Sequence, residues 1–585
     1  MKKKYAALIL GVMLGVAVTG CSNHTETGKQ TTQAEESHQE ESITGEVKSI
    51  EENSITVIAA DQEASGEEQT VAIAEDTQIT RNQGPGGMEE NKEVPEKPQG
   101  DEPPEDGEKP EDGEVPEGEP PEDGEKPEDG ELPAGGMQEE EITWEDIKEG
   151  DTVVITLDAD GNAARITVRS DGMGEAMNHS TTGSIALTGV YTADGEDISS
   201  EDQTYASENA NENTVLVTNG GNLTLSGAKL AKTGDTTSED ESNFYAVNAV
   251  AAVTADSTIT ISNTEINSDA EGANAIFATG SNAVVKADDI TIHTTGNSSR
   301  GLDATYGGTV SASNINITTE GAHCAALATD RGEGTIKAVN GTVSTSGEGS
   351  PCIYSTGDIT AENITGKAAD AQTMVIEGKN SITITGCDLS GAGENGVMLY
   401  QSTSGDADEG TSVLTARDST ITTTSDGPVF YVTNTEAQVD LNNVILNSSS
   451  GVLISASGNE TNNWGTPGDN GGDLTFSAAN QTLEGSILCD EISTISLKLS
   501  DNTKFTGSID ADHTGEVQIS MDEGSTWHVT GDSYVSVITD SDETLSNIES
   551  NGHTVYYDAS AEENEWLNGR TIELAGGGSL TPAGN

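Results

Sequence analysis

Aromatic side chains are scarce: Phe, Trp and Tyr together make up 3% of the 585 residues. A compact enzyme built round one large aromatic core is therefore not expected. Bases are scarce too, with 25 Lys and Arg against 102 Asp and Glu and a net charge of −77. Such a chain is repelled by phosphate backbones and by anionic headgroups, which excludes nucleic acid as a partner and a basic membrane-binding patch. The five cysteines, Cys21, Cys324, Cys352, Cys387 and Cys489, are too few and too scattered for a disulfide framework, and no CxxC occurs. Pairing of Cys324 with Cys352 and a pair of buried free thiols are both open. The apolar fraction is 32%, with 67 glycines besides. This composition suits a repetitive β architecture with thin cores of Val, Ile, Leu and Ala.

One apolar run stands out, Ala6 to Val18, too short to span a bilayer comfortably. Lys2, Lys3 and Lys4 precede it, and it ends Val18-Thr19-Gly20-Cys21. Small residues before a Cys, directly after such a run, resemble a bacterial lipobox. The resemblance implies a signal peptide over 1–20, cleavage before Cys21 and lipidation of its sulfur. An ordinary signal peptide followed by Cys is the alternative. The mature protein is then expected on the outer face of the cytoplasmic membrane, held by lipid at the cell surface. Residues 21–42, rich in Thr, Gln, Glu and Ser, read as a flexible tether.

From Ile43 apolar and polar residues alternate: Ser54-Ile55-Thr56-Val57-Ile58, then Thr70-Val71-Ala72-Ile73. The pattern stops and resumes with Thr152 to Leu157 and Ala164 to Val168. Residues 43–82 and 142–169 read as two parts of one small β-barrel, joined by a hairpin turn at Asp158–Asn162. The pattern resembles barrel modules of bacterial envelope lipoproteins. Between the parts, 83–141 hold eleven of the fifteen prolines. The unit Pro-Pro-Glu-Asp-Gly-Glu-Lys-Pro-Glu-Asp-Gly-Glu occurs at 103–114 and again at 120–131. This insertion is low in complexity, extended, self-repelling and expected to be disordered.

The rest of the chain repeats at about 25 residues. One column of apolar residues is Ile276, Leu302, Leu327, Ile353, Val375, Val397, Val429 and Val452. A second, polar column is Asn263, Asp289, Asn314, Asn340, Asn363, Asp388, Asp418 and Asn443. Two columns keeping one period predict an all-β fold, a right-handed parallel β-helix over 180–545 closed by a C-terminal cap at 546–585. Inward Ile and Val stack between coils, while Asn and Asp take the left-handed backbone of a sharp bend and ladder along the stack. A multi-domain β-sandwich is the alternative fold. Two coils carry inserts, Gly234 to Ser242 and Ser404 to Gly410, and inserts in a solenoid loop out on one face.

The repeat, the lipobox and the stretch Asn462-Asn463-Trp464-Gly465 through Gly471-Gly472-Asp473 resemble β-helical surface lipoproteins of Gram-positive bacteria. Over roughly 180–540 the resemblance implies the fold of the pectate-lyase-like superfamily. Some relatives in that group bind carbohydrate with calcium, and many are described as adhesin-like. The superfold hosts lyases, hydrolases, adhesins and tailspikes alike, so function rests on the site.

The best catalytic grouping is Arg300 and Asp303, one coil before His323 and Arg331, though plain surface charges in adjacent coils explain it as well. Asp288, Asp289 and His293 make part of a hydrolase pattern, but neither His-Gly nor Arg-x-Lys occurs. Binding residues are the stronger expectation. Asp406, Asp408 and Glu409, and separately Asp469 and Asp473, offer hard oxygen ligands for calcium. Trp464, in a loop rich in Gly and Asn, can stack on a sugar ring or pack on the solenoid. The function expected is adhesion or carbohydrate binding by a monomer, without catalysis. A polysaccharide lyase or hydrolase and a purely structural envelope spacer are the alternatives.

Overall fold

The structure is a computed structural model that describes residues 42–51, 54–59, 68–82, 139–141, 143–144, 147–148, 152–157, 162–169, 185–461 and 463–584. The lipobox with Cys21, the tether and nearly all of the acidic insertion lie outside these residues. Contacts divide the chain into two units, one drawing on residues up to Thr80 and on Glu141–Val168, the other containing the repeats.

In the first unit, Ser42–Glu51 pairs antiparallel with Ser54–Ala59 on one side and with Thr152–Leu157 on the other. Ile43 thus stands opposite Ile155, so strands from before and after the insertion share a sheet. That sheet has six strands, and Glu68–Asn82 pairs back onto Ser54–Ala59. Alternation sets the core: Ile55, Val57, Val153, Ile155 and Ile166 are fully buried.

The second unit is a parallel β-solenoid of about 16 turns. One face is a 12-stranded sheet of mostly short strands running from Gly189–Asp194 to Ser486–Cys489. Opposite it runs a 19-stranded sheet, in which five successive coils contribute 11-residue strands between Thr258 and Ala368. Each long strand is bent at its polar-column residue: φ is 48° at Asn263, 55° at Asp289, 52° at Asn314, 59° at Asn340 and 54° at Asn363. On Thr258–Ser268, Ser262 and Asn263 both face outward, and this one extra residue lets Ile259, Ile261 and Ile266 all point inward. Asn and Asp fit because their short polar side chains tolerate this left-handed geometry. They ladder as well: Asn363 Nδ2 donates to Asn340 Oδ1 at 3.2 Å, and Asn443 Nδ2 to Asp418 Oδ1 at 2.6 Å. One member of the column is corrected. Gly386, with φ 64°, takes the bend in its coil, and Asp388 begins the next strand.

The apolar column also needs correction. Backbone register stacks Ile276, Leu302, Leu327, Ile353, Met374, Val397, Phe430, Ile454 and Ile487. Val375, Val429 and Val452 are not in it. Val375 faces the other way, opposite Tyr354 and Met398. A shift of one residue in a strand reverses the face. Met374, Val375 and Ile376 are apolar in succession, because both sides of the sheet are covered there, so alternation gives no phase.

Parallel stacking continues to Ser579–Pro582, which pairs with Thr554–Tyr557 and meets Ile572–Glu573 antiparallel. A 3-10 helix, Glu562–Leu567, places Trp566 against the last coils, its indole N–H donating to Ile538 O at 3.2 Å. No helix of the described residues is long and apolar enough to cross a membrane.

Cys324, Cys352, Cys387 and Cys489 are all buried free thiols, which settles the Cys324–Cys352 question for this structure. Burial pushes their thiols up, to about 11 for Cys324 and about 12 for Cys352 and Cys489. The thiolate is the reactive species. All four are therefore expected to resist a thiol reagent at about pH 8 in the native chain and to react in denaturant. A chromogenic thiol assay of the Cys21→Ser chain, with and without denaturant, checks this; rapid labelling without denaturant is the contrary result.

Candidate functional site

The short-strand sheet turns one face to the solenoid core and the other outward. Asp303, Ala328, Tyr354, Val375, Met398 and Tyr431 stand in one in-register outward column. Most outward columns meet water. This one is covered, because three excursions of the chain fold onto it.

The first excursion includes a short helix, Glu239–Tyr245, whose N-cap Ser238 accepts a bond from the Glu241 amide. It leaves the strand-only pattern read from the sequence, and its last turn docks on the sheet. Arg300 Nη1 donates to Asn243 Oδ1 at 2.7 Å, and Thr305 Oγ1 donates to Phe244 O at 2.9 Å. Tyr245 stacks on Tyr306 with ring centres 5.4 Å apart. Arg331 lies over the Phe244 ring at 3.9 Å, a cation–π contact.

Arg331 reaches the second excursion, residues 401–411, and donates to Asp406 Oδ1 at 2.7 Å. Glu377 anchors the same segment: its carboxylate accepts from Tyr354 Oη at 2.6 Å, from Tyr400 Oη at 2.8 Å and from Ser402 Oγ. The third excursion carries Trp464, whose ring sits 4.7 Å from Tyr400 at an angle of 49°. Asn459 Nδ2 and Asn470 Nδ2 both donate to Trp464 O, at 3.1 and 2.9 Å, and hold the backbone beneath the indole. Val375, Met398 and Tyr400 are buried in this patch, with Tyr354, Tyr431 and Trp464 half-buried round it.

Beneath the first excursion is a buried charged group. Arg300 Nη2 pairs with Asp330 Oδ2 at 2.9 Å. Asp303 has no solvent exposure, and its carboxylate has no side-chain hydrogen-bond partner, only the weakly aligned Ala304 amide beside it. Burial raises the Asp330 carboxyl to about 7 in spite of Arg300. Burial, then the neighbouring Asp330, push Asp303 well above the usual carboxylate range. Burial works against the Arg300 charge, but Asp330 and Asp303 outweigh it and hold the guanidinium protonated.

Arg300 and Asp303 therefore do come together, in a buried group with Asp330, and Arg331 lies at its edge, part-exposed and paired with Asp406. His323 does not join them: it is exposed in a turn with φ 56°. Asp288, which accepts from Ser313 and Asn314, lies on the long-strand sheet, as do Asp289 and His293, the last paired with Glu320 at 2.8 Å. The acidic residues expected to hold calcium are dispersed. Asp406 is taken by Arg331 and Asp408 by Lys379, at 2.8 Å. Glu409 and Asp469 are exposed, and Asp473 Oδ1 accepts from Thr494. Among the described residues no three acidic, His or Cys side chains are placed to hold a metal ion. Glu377, Tyr400, Asp330 and Asn243 were not singled out from the sequence. For Glu377, Tyr400 and Asp330 the signal was a charged or polar residue closing an apolar strand, as in Met374-Val375-Ile376-Glu377; Asn243, in the short helix, had none.

No protein-family model, no curated protein and no solved structure matches the chain. Its class is defined by the fold: a long parallel β-solenoid with loop excursions packed on its short-strand face.

Proposed function

We propose that this protein is a lipid-anchored cell-surface solenoid that binds carbohydrate without catalysis, in the manner of an adhesin. The observation that carries the reading is the patch of Trp464, Tyr431 and Tyr354, partly exposed round the buried Val375, Met398 and Tyr400, in a chain so poor in aromatics. Carbohydrate recognition uses apolar ring faces beside hydrogen-bonding groups, and rigid aromatic anchors lose little entropy on binding. Trp464 is pinned through its backbone, and Asn463 and Thr466 stand exposed next to it. Calcium has no part in this reading, since Arg331 and Lys379 already neutralise Asp406 and Asp408. Catalysis is set aside because Asp303, Asp330 and Glu377 are 0%, 4% and 1% exposed, out of reach of a polymer.

Trp464→Ala and Tyr431→Ala are each expected to weaken glycan binding by about 30-fold, the scale of a central aromatic contact. Titration of the array-selected glycan into each variant measures this. Unchanged affinity in both variants sinks the site. Anchoring has its own test. Metabolic labelling with a fatty acid should mark the native chain, and Cys21→Ser should lose the label and leave the membrane fraction. Label retained on Cys21→Ser contradicts the anchor.

A further inference from the structure

The buried carboxyl of Asp303 is not used by glycan binding, and its surroundings point to a separate device. Two carboxyls, Asp303 and Asp330, face one guanidinium, Arg300, which also holds Asn243 of the overlying segment at 2.7 Å. One cation neutralises one carboxylate. The second, with no side-chain hydrogen-bond partner and no solvent exposure, is stable there only when protonated. We propose that residues 239–246 form a proton-held cover on the short-strand face, closed while Asp303 carries a proton and lifted when Asp303 and Asp330 are both charged.

Residues 234–238 are fastened to neighbouring coils, Thr236 N donating to Glu271 O and Lys232 and Asn248 to Gly234 O. The part that can lift is therefore the helix turn over the pair, held also by Asn274 Nδ2 donating to Ser242 O. Asn243 hangs on Arg300, Phe244 O on Thr305 and Thr279, the Phe244 ring under Arg331, and Tyr245 against Tyr306. Its outer end is tied by Ser298 Oγ, which donates to Glu239. The charged and titratable groups that face the pair are Arg300 on its own coil, then Asp330, Arg331, Cys324, Tyr354 and Glu377 on later coils. Asp406 faces it from the second excursion. Ionising Asp303 draws Arg300 toward two carboxylates and away from Asn243, and leaves a buried negative charge whose cheapest relief is water entering from above. The sign follows. The closed state binds more protons than the open one, so closure is complete at low pH and is lost as pH rises through the closed-state values. Asp330, raised to about 7, moves the same way as Asp303.

Hydrogen–deuterium exchange of the full chain, corrected for intrinsic rates, tests this. Peptides covering 239–246 are expected to exchange about tenfold faster at about pH 8.5 than at about pH 5.5, with the strands beneath unchanged. In Asp303→Asn, which keeps the shape and removes the charge, the same peptides should show no pH dependence. Equal pH dependence in both proteins, or none in the native chain, overturns the proposal. If the variant does not fold, infrared spectroscopy of the native chain decides. A protonated-carboxyl band that disappears as 239–246 opens supports the cover. Absence of that band, or its persistence through opening, refutes it.

Discussion

Arg300→Met is expected to lower the stability of the solenoid by about 3–5 kcal/mol at about pH 8, because it leaves Asp330 and Asp303 buried without a cation. The penalty depends on pH in a definite direction. Removing the guanidinium drives both carboxyls still further above their unfolded values. A raised folded pKa contributes stability that is fully present below the unfolded value, near 4, and is lost as pH rises through the folded one. The variant should therefore approach native stability at about pH 4.5 and fall away above neutrality. Adding Asp330→Asn to Arg300→Met should recover part of the loss, since the two residues share one network. Thermal melts of the three proteins across this range measure it. An Arg300→Met penalty that is constant with pH would mean that packing of the side-chain stem, and not charge, is what Arg300 provides.

The second large effect lies near the C-terminal end. Trp527 has no exposed surface in a core made mostly of Ile, Val, Leu and Ala, with Phe505 6.0 Å away and its indole N–H donating to Gly507 O at 3.0 Å. Trp527→Ala should cost about 3–5 kcal/mol, the range for truncating a buried aromatic. The loss should also be local at first. In a stacked repeat each coil touches mainly its neighbours, so damage near one end unravels that end before the middle. Limited proteolysis is expected to trim the variant from about Phe505 onward while leaving the coils between Ile259 and Ile384 intact. Simultaneous loss of all coils would contradict nearest-neighbour stacking.

The sequence was most legible where one physical rule governs each position. The coil period is carried by Asn263, Asp289, Asn314, Asn340 and Asn363, because few residue types accept the left-handed bend. Legibility ended where a second rule intruded. Gly386 accepts the bend as easily as Asn does, so Asp388 was misread. Val375 was placed inward because an apolar outward residue has no signature until something covers it. The same holds for the site. Arg300 and Asp303 are a coil from Arg331, and proximity follows from the period alone. Their burial comes from segments distant in the chain: Asn243 lies 57 residues from Arg300, and Asp406 lies 75 residues from Arg331. Insert lengths at Gly234–Ser242 and Ser404–Gly410 show that the chain leaves the coil but not which face it returns to. Trp464 was noticed for its loop; its partner Tyr400 was not, because a Tyr closing the run Val397–Tyr400 looks like ordinary strand.

Carbohydrate binding on the short-strand face is the centre of this account, and a glycan array probed with the native chain, in calcium and in chelator, tests it most directly. The expected result is binding to a defined set of glycans, equal in both conditions, and lost on Trp464→Ala. A blank array in both conditions contradicts the account and leaves a protein-binding or spacer role; binding that vanishes in chelator, or survives Trp464→Ala, places recognition elsewhere on the molecule.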